Sequence, residues 1–299
     1  MESAAISNVH KDLISECLGG DGEIPQTEDQ LDPLHRVVSS CKTLSDISRS
    51  QRMDVHWLSE EGQEFPVAVG NYLHKVATDL HLYEGRLPRN FIDPLIDFIR
   101  RTGSHVATLN YDKLLYEPFI DSGLLAGYNG VLVDGMLRAG FSEDALERRN
   151  GNDFGYYLHL HGSPLFYDDD LGVTRKRDRH ELSPLADQGS DHIVLTHVHH
   201  KRSVIGASPV LSAYWNYLNF CLAESERIVV FGYSGGDNHL NAVIAAHAQS
   251  KHVQVVEWDG VDANMDNRVA YWCRKFKTED LELVYHRNVL NFTGWNDWE

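Results

Sequence analysis

The chain has 299 residues, 42% of them hydrophobic and 24% charged, which is enough to bury a core in one large domain or two small ones. Its net charge of −17, with histidine neutral, argues against a nucleic-acid binder that relies on a global basic field. No apolar stretch approaches the roughly 20 residues that span a bilayer, and Cys17, Cys41, Cys221 and Cys273 form no Cys-x-x-Cys pair, so a cytoplasmic protein with reduced thiols is expected.

The N-terminus, "MESAAISNVHKDLISECLGG", lacks the basic start and long apolar centre of a signal peptide. Helices are expected to flank "GGDGEIPQTEDQLDP", which reads as a loop. From Val67 to Tyr83 the spacing of Leu73, Val76, Ala77, Leu80 and Tyr83 predicts a helix with those residues as its apolar face. A second helix, "NFIDPLIDFIRR", opens near Asn90, with Pro94 expected in its first turn and Gly103 as its stop. The apolar run Val106–Leu109 reads as a strand, and a helix is expected from Lys113 into the 120s. "YYLHLHGSP" reads as a strand ending in a sharp turn at Gly162 and Pro164. The polar stretch "DDDLGVTRKRDRHELSPLADQGSD" reads as a long exposed loop.

The C-terminal third is more regular. A helix capped by Ser208, with Pro209 at its first position, precedes the strand "RIVVFGYS". The helix "HLNAVIAAHAQS", the strand "HVQVVEW", the helix "NRVAYWCRKFK" and the strand "LELVYH" follow. Alternation of helices and short apolar strands predicts an α/β fold: a Rossmann-like parallel sheet flanked by helices. The reading is one domain, with a helical part over 1–85 and a Rossmann-like core over 86–299.

In such a sheet, ligands bind beyond the carboxyl ends of the strands. Three strand ends carry polar groups: "TLNYD" at Thr108–Asp112, "HLHGS" at His159–Ser163 and "FGYSGGDNH" at Phe231–His239. Asn110 offers both donors and an acceptor, and it or Asp112 could instead cap the following helix. Of His159 and His161, one is expected in the core and the other, beside Gly162, in the crevice, where a neutral imidazole can accept a proton. The glycines of the third segment permit close backbone approach to a phosphate, whereas Asp237 or Asn238 could simply cap a helix. His197 and His199 have spacing that suits a metal, but no carboxylate or cysteine completes a motif and no metal is expected. Lys201 and Arg202, which follow them, suit a phosphate or an acidic partner surface.

Together and in this order, "TLNYD", "HLHG" and "VVFGYSGGD" resemble the SIR2-like family of NAD-consuming proteins over about residues 86 to 260. The variants that read Asn-Tyr-Asp are similar to bacterial members that serve in antiphage defence by destroying NAD. The resemblance implies that Asn110 positions the nicotinamide ribose and the attacking water, that His161 is the base, and that Asp112 supports the site. Thr108, Tyr111, Gly232, Tyr233, Ser234 and Asp237 would contact the cofactor. The implied reaction cleaves NAD to nicotinamide and ADP-ribose, through a transition state of oxocarbenium character. A separate regulatory or sensor protein, or a homo-oligomer, would keep so toxic an activity silent.

Two departures narrow this expectation. The paired Cys-x-x-Cys zinc module of the deacetylases is missing, which leaves hydrolysis over deacylation. The family's early strand with Gly-Ala-Gly-x-Ser finds only "LGGDG", Leu18–Gly22, where Asp21 would set a negative charge beside phosphates. Either the chain is truncated at its start or the phosphate site is rebuilt. Two alternatives stand beside the hydrolase: a nucleotide-binding regulatory subunit and an ADP-ribosyl transferase.

Overall fold

Two small parallel sheets and their covering helices carry the candidate site, and three N-terminal helices back it. The computed structural model describes residues 8–18, 25, 30–51, 60–149, 151–179, 181–182, 191–195, 200–260 and 265–296. Helices α1 (Asn8–Leu18), α2 (Leu31–Gln51) and α3 (Glu60–His81) enclose a small core of Ile14, Leu31, Leu34, Phe65, Val69 and Tyr72. Leu31 to Pro33 are the first turn of α2 rather than the end of a loop. Proline is tolerated there because first-turn amides lack intrahelical partners.

The burial of α3 departs from the predicted face. Leu80 and Tyr83 are exposed, at 49% and 61%. In the C-terminal half of the helix the deeply buried stripe is His74, Ala77, Thr78 and His81, which has helical spacing but consists mostly of polar residues. Leu73 and Val76 are half-buried beside the small core.

Helix α4 (Arg89–Thr102) buries Phe91, Ile92, Ile96 and Ile99 and ends at Gly103, whose φ of 66° is left-handed and whose amide donates to the Ile99 carbonyl. Pro94 falls in its second turn, one turn later than the sequence implies. Strand β1 (Val106–Thr108) follows, then the six-residue α5 (Tyr116–Asp121), much shorter than expected. Strands β2 (Leu132–Val133), β3 (Met136–Leu137), β4 (Gly140–Phe141) and β5 (Gly155–His159) come next. The polar stretch after them is not all loop. It folds into the hairpin β6 (Phe166–Asp168) and β7 (Thr174–Lys176), while 183–190 lies outside the described residues.

The first parallel sheet has the order β1-β5-β2, with Thr108 opposite His159. All five residues of β5 are buried, as a central strand covered on both faces requires. Helices α6 (Lys201–Ala207) and α7 (Pro209–Glu224) precede β8 (Arg227–Phe231), and Ser208 caps α7 by accepting from the Leu211 amide at 3.2 Å. Helix α8 (Asn238–His247), β9 (His252–Trp258), α9 (Met265–Phe276) and β10 (Leu281–His286) complete a second parallel sheet of order β10-β9-β8. The sequence predicts one sheet; the described strands form two of three strands each, with the hairpins β3–β4 and β6–β7 apart from them.

Side chains tie the two sheets together at both ends. At the amino ends, His105 before β1 meets Glu224 at the end of α7 at 2.5 Å, and Arg148 pairs with the same carboxylate at 2.8 Å. Phe91 of α4 packs on Phe231 of β8 with ring centroids 5.3 Å apart. The carboxyl ends of β1, β5 and β8 therefore open on the same side. None of the described helices is long and apolar enough to cross a membrane.

Candidate functional site

The turn after β5 separates the two histidines. A regular strand would leave residues two apart on one face. Here β5 stops at His159 and a turn begins at Leu160, so His159 stays in the core while His161 swings towards β8. Gly162 makes this turn possible. Its φ is 81°, and a Cβ there would lie 1.6 Å from the His192 carbonyl oxygen. The 192–194 segment then closes over the turn, with the Val194 amide donating to the His161 carbonyl at 2.9 Å.

His161 does not stand alone. Its Nε2 lies 3.0 Å from Oδ2 of Asp237, which sits in the loop after β8. The Lys201 ammonium donates to the same oxygen at 3.0 Å. The other oxygen, Oδ1, caps α8 by accepting from the His239 and Leu240 amides at 2.9 and 3.1 Å. All three side chains are buried, Asp237 and Lys201 each only 4% exposed. Burial pushes the Asp237 carboxyl up, but the bonds from His161, the Leu240 amide and Lys201 outweigh it and hold the group well below the usual carboxylate range. An ionised carboxylate only accepts, so the Nε2 facing it carries the proton.

"TLNYD" divides its work. Asp112 accepts from the Leu114 amide at 2.9 Å and holds the turn before α5, whose own N-cap, Leu115, makes no side-chain bond. Thr108 Oγ1 accepts from the Asn110 amide at 3.1 Å, which bends the chain out of β1. The Asn110 side chain is exposed, and among the described residues it has no hydrogen-bond partner. Tyr111 is buried with its ring centroid 6.5 Å from that of His161. The site thus gathers Asn110, Tyr111, His161 and Asp237 from three strand ends.

The later glycine loop is braced by its own side chains. The Tyr233 hydroxyl accepts from the Asp237 amide at 2.9 Å and lies 3.0 Å from both the Asp237 carbonyl and Asn241 Oδ1. Gly232 and Gly235 take φ of 61° and 77°, and Ser234 Oγ accepts from the Gly236 amide at 3.3 Å. Tyr233 and Asp237, expected to touch a cofactor, therefore spend their polar atoms inside the protein. Gly232 and Ser234 remain exposed.

Four further contacts come from the N-terminal helices. His81 Nδ1 is 2.9 Å from the Tyr111 carbonyl, and His74 Nε2 is 3.1 Å from the Pro164 carbonyl. Asp32 bonds His200, the residue before α6, at 2.8 Å, and His35 stacks on the same ring. Lys201 was read from the sequence as a ligand for phosphate or an acidic partner surface, and His74 and His81 were not read as site residues. The signal for the last two was their i, i+3, i+4, i+7 spacing with Ala77 and Thr78. Nothing in the sequence tied Lys201 to Asp237, because the two are 36 residues apart in the chain.

Two grooves border this region. One, of about 500 Å³, is lined by Asn238, Arg274, Lys275 and Lys277 among others, and one of about 250 Å³ by Arg202, Trp215 and His239. Neither is lined by Asn110 or His161, so it is the side chains, and not cavity volume, that mark the strand-end crevice. Arg202 sits in the smaller groove, where it suits an anion, whereas Lys201 is turned inward. His197, His199 and Gly19–Gly22 of "LGGDG" lie outside the described residues. No protein-family model matches the chain, and comparison with curated proteins finds no significant match.

Proposed function

We propose that the chain is an NAD+ glycohydrolase with a sirtuin-like, Rossmann-type arrangement, acting in bacterial antiviral defence. What supports the reading is one observation: His161 after β5 is bonded to Asp237 after β8 and lies against Tyr111 after β1. Three short motifs, singled out separately in the sequence, supply one cluster at the strand ends. In the proposed reaction the C–N bond between ribose and nicotinamide breaks, and its electrons leave on the nicotinamide nitrogen. Water adds to the ribose carbon, and its proton passes to Nδ1 of His161. Asn110, whose side-chain amide has no hydrogen-bond partner among the described residues, holds the water or the ribose hydroxyls.

The experiment is NAD turnover by the purified protein, alone and with the products of neighbouring genes, since a partner or self-assembly is expected to trigger the activity. Release of nicotinamide and ADP-ribose, lost in both Asn110→Ala and His161→Ala, is the expected result. Survival of NAD under every condition would end the proposal. One feature favours a second reading, a nucleotide-binding regulatory subunit without catalysis: Tyr233 and Asp237 turn their polar atoms inward. Calorimetry separates the two, because tight binding of NAD that stays intact belongs to the second. A mass shift of ADP-ribose on an acceptor protein would instead indicate a transferase.

A further inference from the structure

We infer that Lys201 is a positioning residue for the base: by cancelling the charge of Asp237 it fixes His161 as a neutral imidazole with Nδ1 bare. This rests on the glycohydrolase reading only for its catalytic meaning; the charge arrangement stands on geometry. Oδ2 of Asp237 receives two donors, His161 Nε2 and Lys201 Nζ, each at 3.0 Å. A buried carboxylate bonded to a histidine alone would draw a second proton onto the ring, since opposite charges in a low dielectric favour the charged form. An imidazolium cannot accept a proton. With Lys201 on the same oxygen, the carboxylate already has its counter-ion, and His161 contributes only a neutral donor. The Nε2–H tautomer follows, and Nδ1 keeps its lone pair for the crevice.

Among the other described groups around this trio, Arg202 is also cationic, but it is exposed and makes no bond to Asp237. Tyr111 faces His161 with its ring. His239 and Arg202 flank the Asp237–Lys201 pair, and burial lowers the affinity of His239 for a proton. Within the trio, only Lys201 offers a buried cation directly to Asp237. It is placed by α6, whose preceding residue His200 is held by Asp32 of α2.

The test uses the full chain labelled with ¹⁵N-histidine, with the His161 signals assigned through His161→Gln. Long-range ¹H–¹⁵N spectra without NAD should show Nε2 protonated and Nδ1 bare. In Lys201→Met, the pH at which His161 takes up its second proton should rise by at least one unit, a tenfold change in the protonation constant. The acid limb of any NAD hydrolysis should move with it. The double variant Lys201→Met/Asp237→Asn, which removes both charges, should bring the His161 titration back towards the wild type. It also covers the case in which the single variant fails to fold. Protonation of Nδ1 in the wild type, or an unmoved titration in a folded Lys201→Met, would overturn the inference. Because the spectra need no turnover, an inactive protein with the expected titration would count against the hydrolase alone.

Discussion

Asp237→Asn tests whether the trio is a charge pair or merely a cap. Asparagine is a good N-cap, so the bonds from the His239 and Leu240 amides to Oδ1 survive the change. What is lost is the negative charge opposite Lys201, which is left as a buried ammonium at 4% exposure. Removing one partner of a buried pair costs about 3–5 kcal/mol, whereas losing a cap alone costs about 1 kcal/mol. A domain of this kind is stable by about 5–15 kcal/mol, so the variant should remain folded but be visibly weakened. Urea unfolding followed by circular dichroism gives the difference, and the cycle with Lys201→Met apportions it. That second change removes the orphaned cation and should recover at least half of the loss. A cost below about 1 kcal/mol for Asp237→Asn, or no recovery in the double variant, would refute the charge-pair account.

Acid should loosen the protein before its carboxylates titrate. Burial lowers the proton affinity of His74 and His81, and that of His159 falls to about 3, with Lys176 nearby adding to the effect. An unfolded histidine protonates near pH 6.5, so the unfolded state binds more protons across this window. Stability is complete above about pH 6.5 and falls as the pH drops towards 3; at pH 5 His159 alone should cost about 2 kcal/mol. The urea midpoint measured at pH 7 and 5 checks this, and His159→Phe, which removes a buried ring whose nitrogens have no partner among the described residues, should shrink the difference. On the proposed hydrolase reading, Asn110→Ala should lower NAD hydrolysis by about 100-fold yet change stability by less than about 0.5 kcal/mol, because the side chain is exposed and makes no hydrogen bond among the described residues. Steady-state kinetics and urea unfolding on one preparation give both numbers. Gly162→Ala should yield little soluble protein, since its Cβ would meet the His192 carbonyl at 1.6 Å; normal expression and stability would show that the turn is rebuilt.

Chain order and element type were legible wherever pattern and local chemistry agreed. Gly103, Ser208 and Pro209 mark real helix ends because capping is decided within a few residues. Asp237 was legible as a cap for the same reason. That its second oxygen binds His161 and Lys201 was not, because those partners are 76 and 36 residues away in the chain. The split of the strands into two sheets was likewise hidden, since strand pairing is a long-range choice that apolar runs do not encode. The error on α3 has a simple cause. An apolar-face rule picked out Leu80, which is exposed, and passed over His74 and His81, whose rings each meet a backbone carbonyl and so can be buried.

That buried face gives the N-terminal helices their place in the architecture. His81 reaches the carbonyl of Tyr111 after β1, His74 reaches that of Pro164 after β5, and Asp32 holds His200 next to Lys201. The loops after β1 and β5 and the start of α6 thus each have a bond from α2 or α3 behind them, while the loop after β8, which brings Asp237, is braced by its own Tyr233. A bond to a backbone carbonyl constrains the loop itself, whatever its side chains do, and a loop otherwise open to solvent on one side needs such a constraint to hold a geometry. Residues 1–66 are the least readable part of the sequence, and the helix read over Val67–Tyr83 supplies the His81 ring that braces "TLNYD" through the Tyr111 carbonyl.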